Sequence, residues 1–483
     1  MKKLFSLPLI LLGFAAIISA CSSDDSSSNP PSGSSSDKKK AESDDPVMVE
    51  LEANYQMLDM FYIYAHARGE LAESVDAYVG KGSAKDAKDV DADEDRCSSD
   101  YYDVCYMYNQ MKDPYTRYYD PTIAPEVIEE LMEPEEEFVI VGADYVVTDA
   151  EEGVAEITYV SDEGKAQGLK VGDVFSLWSF YFAKIGKKPS EVLLLLLGDE
   201  EDEFDTVYVQ AKIAKQPTVA LHYEEAENGD SIPVIRIREF DVKTVGEGGT
   251  KEEFAEAIKK TEGSKSVIID LRNNGGGETE HCNATSAEFL SKGDTITIDI
   301  TAEIDSVKEK GETRYVQKMD TNVVVADKDG AAKDRYVVML ADDMSASCAE
   351  LMLSAIATNK KSPIVGALSY GKQIGQIVVT GSLDEEDSED GMLVPEGLAI
   401  ITNIYAYDKD WKQFQDLGIV PDYEIKGASA QMKKAVELAA AGTEKRTAGY
   451  GTERLGHFAK DATVSNRKAS IKDLKRMRYK ITR

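Results

Sequence analysis

Tyr336-Val337-Val338-Met339-Leu340-Ala341-Asp342-Asp343-Met344-Ser345-Ala346-Ser347-Cys348-Ala349-Glu350-Leu351-Met352-Leu353-Ser354-Ala355-Ile356 reads as a short apolar run, a polar turn and an apolar run with helical spacing. Ser347 therefore falls where a strand turns into a helix. The first N–H groups of a helix have no intrahelical acceptor and carry partial positive charge, so an oxyanion developing beside this serine can be stabilised there. Further on, Ser362-Pro363-Ile364-Val365-Gly366-Ala367-Leu368 predicts another strand, followed by Tyr370-Gly371-Lys372-Gln373-Ile374-Gly375-Gln376. These two stretches carry the chemistry of the chain.

A serine nucleophile needs a base. The four histidines, His66, His222, His281 and His457, stand in no recognisable triad context, and no G-x-S-x-G elbow occurs. A lysine can serve when burial disfavours its charged form. Lys372 suits that role: it follows an apolar run and a glycine that permits close approach, and Gln376 can orient it without adding charge.

Ser345-Ala346-Ser347 followed by Glu350, then Gly371-Lys372 and Gln376, resembles the C-terminal processing (tail-specific) serine peptidases. The resemblance implies Ser347 as nucleophile, Lys372 as general base, Gln376 as the residue that orients the lysine, and Glu350 as the motif glutamate. Cys348 and Ala349 depart from the alanine and serine usual in the family. Asp270-Leu271-Arg272-Asn273-Asn274-Gly275-Gly276-Gly277 is similar to the family's glycine loop. Glycines there let the backbone approach a scissile carbonyl. The N–H groups of Gly276 and Cys348 are the expected oxyanion pair, with Gly275 or Gly277 as substitutes for the first. No Gly-Lys-Ser/Thr follows the glycines, so nucleotide binding is not supported.

Outward from this core, Leu417-Gly418-Ile419-Val420-Pro421-Asp422-Tyr423 resembles the close of the family's catalytic region, and Asp113-Pro114-Tyr115-Thr116-Arg117-Tyr118 the tag that ends its helical segment. Between them, Phe138 to Val147, Gly153 to Val160 and Ala166 to Phe175 resemble the strands, short helix and Gly-Asp turn of a protease PDZ domain, which captures a peptide C-terminus as an added strand. Its carboxylate loop, Ile140-Val141-Gly142-Ala143, keeps one glycine where the family has two. Gly198-Asp199-Glu200-Glu201-Asp202-Glu203 lacks the liganding pattern of a calcium loop and reads as a solvated hairpin tip. No metal or organic cofactor is called for.

At the start, Lys2-Lys3, an apolar run from Leu4 to Ile18 and Ser19-Ala20 predict an export signal over residues 1–20. Ile18-Ser19-Ala20-Cys21 resembles a lipobox, so Cys21 is expected to carry a lipid anchor to the bacterial envelope, with an outer-membrane address, facing the periplasm or the exterior. Residues 21–46 are a Ser/Asp-rich tether too poor in apolar groups to fold.

The expected organisation is an α/β multidomain chain: a helical region 47–134, a PDZ domain 135–214, a Ser-Lys peptidase core 215–430 and a basic extension 431–483. A formal net charge of −34 excludes nucleic acid as a partner of the body of the protein. Protein or peptide substrates are the expected partners; oligomeric state is left open. Two disulfides are expected, Cys97 with Cys105 by their nearness in sequence and Cys282 with Cys348, because the loops that precede them should meet at the site. A thiol nucleophile from Cys282 or Cys348 with His281 is the minor alternative. The competing class is a peptide-binding scaffold that has kept this fold and lost catalysis.

Overall fold

The structure is a computed structural model that describes residues 45–450 apart from 67, 89–94, 133–136, 151, 178–191, 198–203, 215, 243, 310–311 and 382–392. The export signal, Cys21, nearly all of the tether, the acidic stretch 198–203 and the basic residues from Lys460 onward lie outside the described residues.

In chain order the elements are α1 (Pro46–Phe61), α2 (Tyr102–Gln110), β1 (Arg117–Tyr119), α3 (Ala124–Met132), β2 (Glu137–Ile140), β3 (Ala143–Asp149), β4 (Val154–Val160), α4 (Asp162–Ala166), β5 (Val174–Ser176), β6 (Val192–Leu197), β7 (Phe204–Val209), β8 (Ala211–Ala214), β9 (Val219–Glu225) and β10 (Ser231–Ile237). Then follow α5 (Gly249–Lys260), β11 (Ser266–Asp270), α6 (Thr279–Ala287), β12 (Thr295–Glu309), β13 (Glu312–Val325), β14 (Tyr336–Ala341), α7 (Cys348–Lys360), β15 (Ile364–Gly366), β16 (Ile374–Val379), β17 (Leu398–Tyr407), β18 (Tyr423–Glu424) and α8 (Ala428–Ala441).

The sheet that carries the chemistry has the order β18-β15-β14-β11-β10-β9, parallel throughout except for the edge strand β9. Its central strands are apolar at nearly every position because both faces are covered. Val267 and Ile269 of β11 and Val337 and Met339 of β14 face one core with Phe254, Leu351, Met352 and Ile356 from α5 and α7. Ile268, Val338 and Leu340 face the other, closed by Met432, Ala435 and Leu438 of α8. That corrects a boundary drawn from sequence: α8 covers the core sheet, so the core runs past residue 430 and the helix is no part of an extension.

A second sheet runs β1-β17-β12-β13 with β16 also on β17. It takes in β1, so the region expected to be helical contributes a strand as well. The hairpin of β12 and β13 was not anticipated; its alternating polar and apolar residues have the strand period, but charge at both ends hides it. A third sheet, β3-β4-β5-β6-β7, is antiparallel and has its own small core around Ile157, Phe175 and Leu194. The single strand expected over Phe138 to Val147 is two, broken at Val141-Gly142, where Gly142 takes φ +80°. A side chain at Gly142 would meet Gly164 N at 2.5 Å.

One buried carboxylate ties α1 to the second sheet. Glu50 accepts from Asn54 Nδ2 (3.0 Å), Tyr118 Oη (2.7 Å), Gly397 N (3.0 Å) and Glu396 N (2.7 Å). Glu50→Ala strands those donors in a dry interior and should cost about 3 kcal/mol. Denaturant unfolding followed by circular dichroism measures it; a loss under about 0.5 kcal/mol would show that α1 is held by apolar packing alone.

Candidate active site

Three loops leave the carboxyl ends of neighbouring parallel strands, the place where open α/β sheets put their sites. They are the glycine loop after β11, the turn after β14 and the segment after β15. Hydrogen bonds stitch them together. Ala346 N donates to Asn274 O (2.9 Å) and Tyr370 N to Ser345 O (3.0 Å). The Asp342 carboxylate accepts from Asn273 N (3.0 Å), Asn273 Nδ2 (2.7 Å) and Ser345 Oγ (3.1 Å). Behind the glycine loop, the fully buried Arg272 guanidinium forks onto Asp270 (2.9 and 2.7 Å) and reaches Ala428 O (2.8 Å), which pins the loop to α8. Burial acts to raise the Asp270 carboxyl, but Arg272 outweighs it and holds it below the usual range.

Ser347 is the N-cap of α7 and has φ +54°, a conformation that a residue with a Cβ adopts only under constraint. Glu350, one turn into the helix and fully buried, supplies that constraint. Its Oε2 accepts Ser347 N (3.0 Å) and also Lys372 N (2.8 Å). Its Oε1 accepts Gly371 N (2.7 Å) and Ser369 Oγ (2.5 Å). A single oxygen therefore holds the backbones of Ser347 and Lys372 side by side. Burial pushes the Glu350 carboxyl up to about 7, against the pull of the donors that surround it.

Lys372 is fully buried and donates from Nζ to Gln376 Oε1 (2.9 Å), with the Tyr115 ring centroid 5.0 Å away. Gln376 comes from β16, whose pairing with β17 shifts register between Gly375 and Gln376. Ser347, Lys372, Gln376 and Glu350 thus converge from three segments in one dry cluster.

Gly276 requires a correction. Its N–H donates to Asn274 Oδ1 (2.8 Å), so in this arrangement it is engaged within the loop and not offered to a substrate oxygen. Asn274 is the reason: its Nδ2 is anchored on Ile237 O (2.9 Å), which turns the carbonyl toward Gly276. Cys348 N stands at the start of α7, and the Cys348 side chain is joined to Cys282, as Cys97 is to Cys105, with Cα separations of 5.7 and 6.3 Å. With both sulfurs bonded, the thiol alternative falls. His281 is buried and its Nδ1 accepts from Lys251 N (3.3 Å). Asn273, Asn274, Asp342 and Tyr115 were missed as positioning groups because their roles depend on contacts between distant loops. Asn273 also holds Val147 of β3 through both amide atoms, its Nδ2 donating to Val147 O (2.9 Å), while Arg236 donates to Tyr145 O (2.8 Å), so that strand edge abuts the glycine loop.

Two expectations follow. Glu350→Gln sets an amide N–H₂ against two N–H donors and should destabilise the protein by about 3 kcal/mol. Because the folded value of Glu350 lies above its ordinary range, wild type loses stability as pH rises toward and through about 7, whereas the amide does not titrate. Melting temperatures of the two proteins across that window should converge as pH rises; a constant gap would mean Glu350 is not raised. Alkylation of the unfolded protein without residues 1–46 should add no mass before reduction and four adducts after it, as two disulfides require.

Residues 231–425 match peptidase family S41. A probable CtpA-like serine protease of Staphylococcus haemolyticus is 26% identical over 327 residues, covering 66% of this chain and 58% of that protein. The chloroplastic carboxyl-terminal-processing peptidase 1 of Arabidopsis thaliana is 26% identical over 232 residues, covering 47% and 43%. The chain thus spans less than two thirds of the length of these relatives. Among solved structures, the photosystem II D1 C-terminal processing protease is similar at a TM-score of 0.46 and 16% identity, over 83% of this chain and 97% of that one. The match over residues 231–425 falls on the α/β core, so it is this part of the chain that is similar to peptidase family S41.

Proposed function

We propose that this protein is a serine endopeptidase that uses a Ser347–Lys372 dyad to hydrolyse peptide bonds of exported proteins. The observation that carries the reading is the shared Glu350 oxygen, which sets Ser347 beside a fully buried lysine whose ammonium group faces a neutral amide. Burial favours the neutral amine, and a neutral amine is a base. Ser347 Oγ gives its proton to Lys372 Nζ and attacks the carbonyl carbon. The oxyanion rests on Cys348 N–H with a glycine-loop N–H from Gly275 or Gly277, or from Gly276 once Asn274 releases it. The protonated lysine then delivers its proton to the leaving amine, and water, deprotonated by the same lysine, hydrolyses the acyl-enzyme.

The unit from β2 to β8 is read as a PDZ domain that engages substrate C-termini. What supports this is the glycine break before β3 and the position of β3 at the edge of its sheet, against the glycine loop. Cys21 is read as the lipidated residue that tethers the protein to the bacterial envelope, on the strength of the lipobox-like sequence.

The test is digestion of an unfolded protein by the chain lacking residues 1–46. Ser347→Ala and Lys372→Ala should each lower the rate by at least about 10³-fold while melting temperature holds. Wild-type activity should also fall as pH drops through about 7, since a proton on Glu350 displaces one of its donors. If all three proteins bind peptides and none cuts, the scaffold reading replaces this one.

A further inference from the structure

Beside the lysine begins a row of aromatic rings that ends at the protein surface. The Tyr115 ring centroid lies 5.0 Å from Lys372 Nζ, and Tyr115 packs with Ile374, two residues beyond the lysine, and with Tyr405. Tyr405 of β17 stands opposite Ile374 of β16. Tyr405 and Tyr407 are two apart on one strand and so share a face of the sheet, with ring centroids 5.6 Å apart. Tyr407 in turn meets the Trp411 ring at 5.5 Å.

Trp411 is the unusual member. It is 54% exposed and has φ +58°, in the left-handed region that a bulky side chain enters only when something holds it there. Asp408, buried just past the end of β17, does the holding. Its Oδ1 accepts Asp410 N and Lys412 N (both 2.8 Å), and its backbone oxygen accepts Trp411 N (3.0 Å). The turn thus brings Trp411 back against Tyr407. Folding stability gives little reason for this arrangement: a large ring left half in water gains little from burial, and the backbone is strained to keep it there.

We propose that Trp411, with Tyr407 and Tyr405, forms a subsite that takes an apolar or aromatic side chain of the substrate at a distance from the bond that is cut. The proposal rests on the peptidase reading above. Two ring spacings, 5.5 and 5.6 Å, separate Trp411 from Tyr405. About three residues of extended chain span that length, and one or two more reach the lysine, so the contact falls roughly four to six residues from the scissile bond. Exposed aromatic rings bind apolar side chains by contact area and ring faces, and such rings are common anchors of interfaces. Folded proteins bury the side chains that this surface fits, whereas an unfolded chain displays them. The substrate class is therefore an extended, unfolded segment with an apolar residue at that remove.

The test varies the length of the substrate as well as the protein. Trp411→Gly removes the ring and suits the left-handed turn, so folding is spared; Trp411→Phe keeps an aromatic ring. On an unstructured fluorogenic peptide of about 14 residues with leucines along its length, Trp411→Gly should raise KM about 5- to 10-fold with kcat within about twofold, and Trp411→Phe should match wild type within about twofold. On the same peptide shortened to about two residues either side of the cleaved bond, too short to reach the ring, the three proteins should not differ. Trp178 and Trp411 are the only tryptophans of the chain. In a Ser347→Ala, Trp178→Phe protein, the emission of Trp411 should therefore shift to the blue when the long peptide binds and not when the short one is added.

Equal KM for Trp411→Gly and wild type on the long peptide, a loss of the same size on the short one, or an emission maximum that does not move would each overturn the proposal. So would a Trp411→Phe variant as weak as Trp411→Gly. If Trp178→Phe fails to fold, the kinetic comparison decides alone. Failure of the dyad reading shows differently, as a wild type that Ser347→Ala does not slow, and the emission shift still reports whether the ring takes up a peptide.

Discussion

The site depends on the Glu350 carboxylate. Four donors from two segments, Ser347 on one and Ser369, Gly371 and Lys372 on the other, end on its two oxygens, and no water reaches it. A buried carboxylate is costly unless its lone pairs are filled. Here filling them is the act that brings the backbones of Ser347 and Lys372 together. The positive φ of Ser347 is part of the same bargain, since the helix N-terminus, the strained turn and the lysine loop are all held by one anchor.

That anchor works because of the sheet beneath it. β11, β14 and β15 are parallel neighbours, so the loops at their carboxyl ends emerge together whatever their separation in sequence. Apolar side chains on both faces leave the strands little freedom to slip. Asp342 and Arg272 then lock the loops against one another and against α8. Burial pushes Asp342 up to about 6, so this second carboxylate, like Glu350, is set near neutrality rather than deep in the acid range. The second sheet completes the arrangement from the opposite side, with Gln376 on β16 and Thr402 on β17 closing over the lysine.

Much of this was legible in the chain. The apolar runs of β11 and β14 announce buried parallel strands by their length and their lack of alternation, and the order of Ser347, Lys372 and Gln376 resembles that of the C-terminal processing peptidases. Other features were not legible. Gly276 looked like an oxyanion donor because glycine permits close approach, and only the folded loop shows Asn274 Oδ1 taking its N–H. α8 looked like the start of a tail because sequence cannot say what its apolar face covers.

The sequence by itself determined the kinds of group available, a serine at a strand-to-helix turn, a lysine after an apolar run and an amide four residues on, because local spacing and side-chain chemistry are properties of the chain. Only the tertiary structure decided which donors and acceptors are already matched. Hydrogen bonds in a dry interior are exclusive, and their pairing is set by strands and loops far apart in sequence: one oxygen of Glu350 serves two backbones, and Asn274, held by Ile237, serves Gly276.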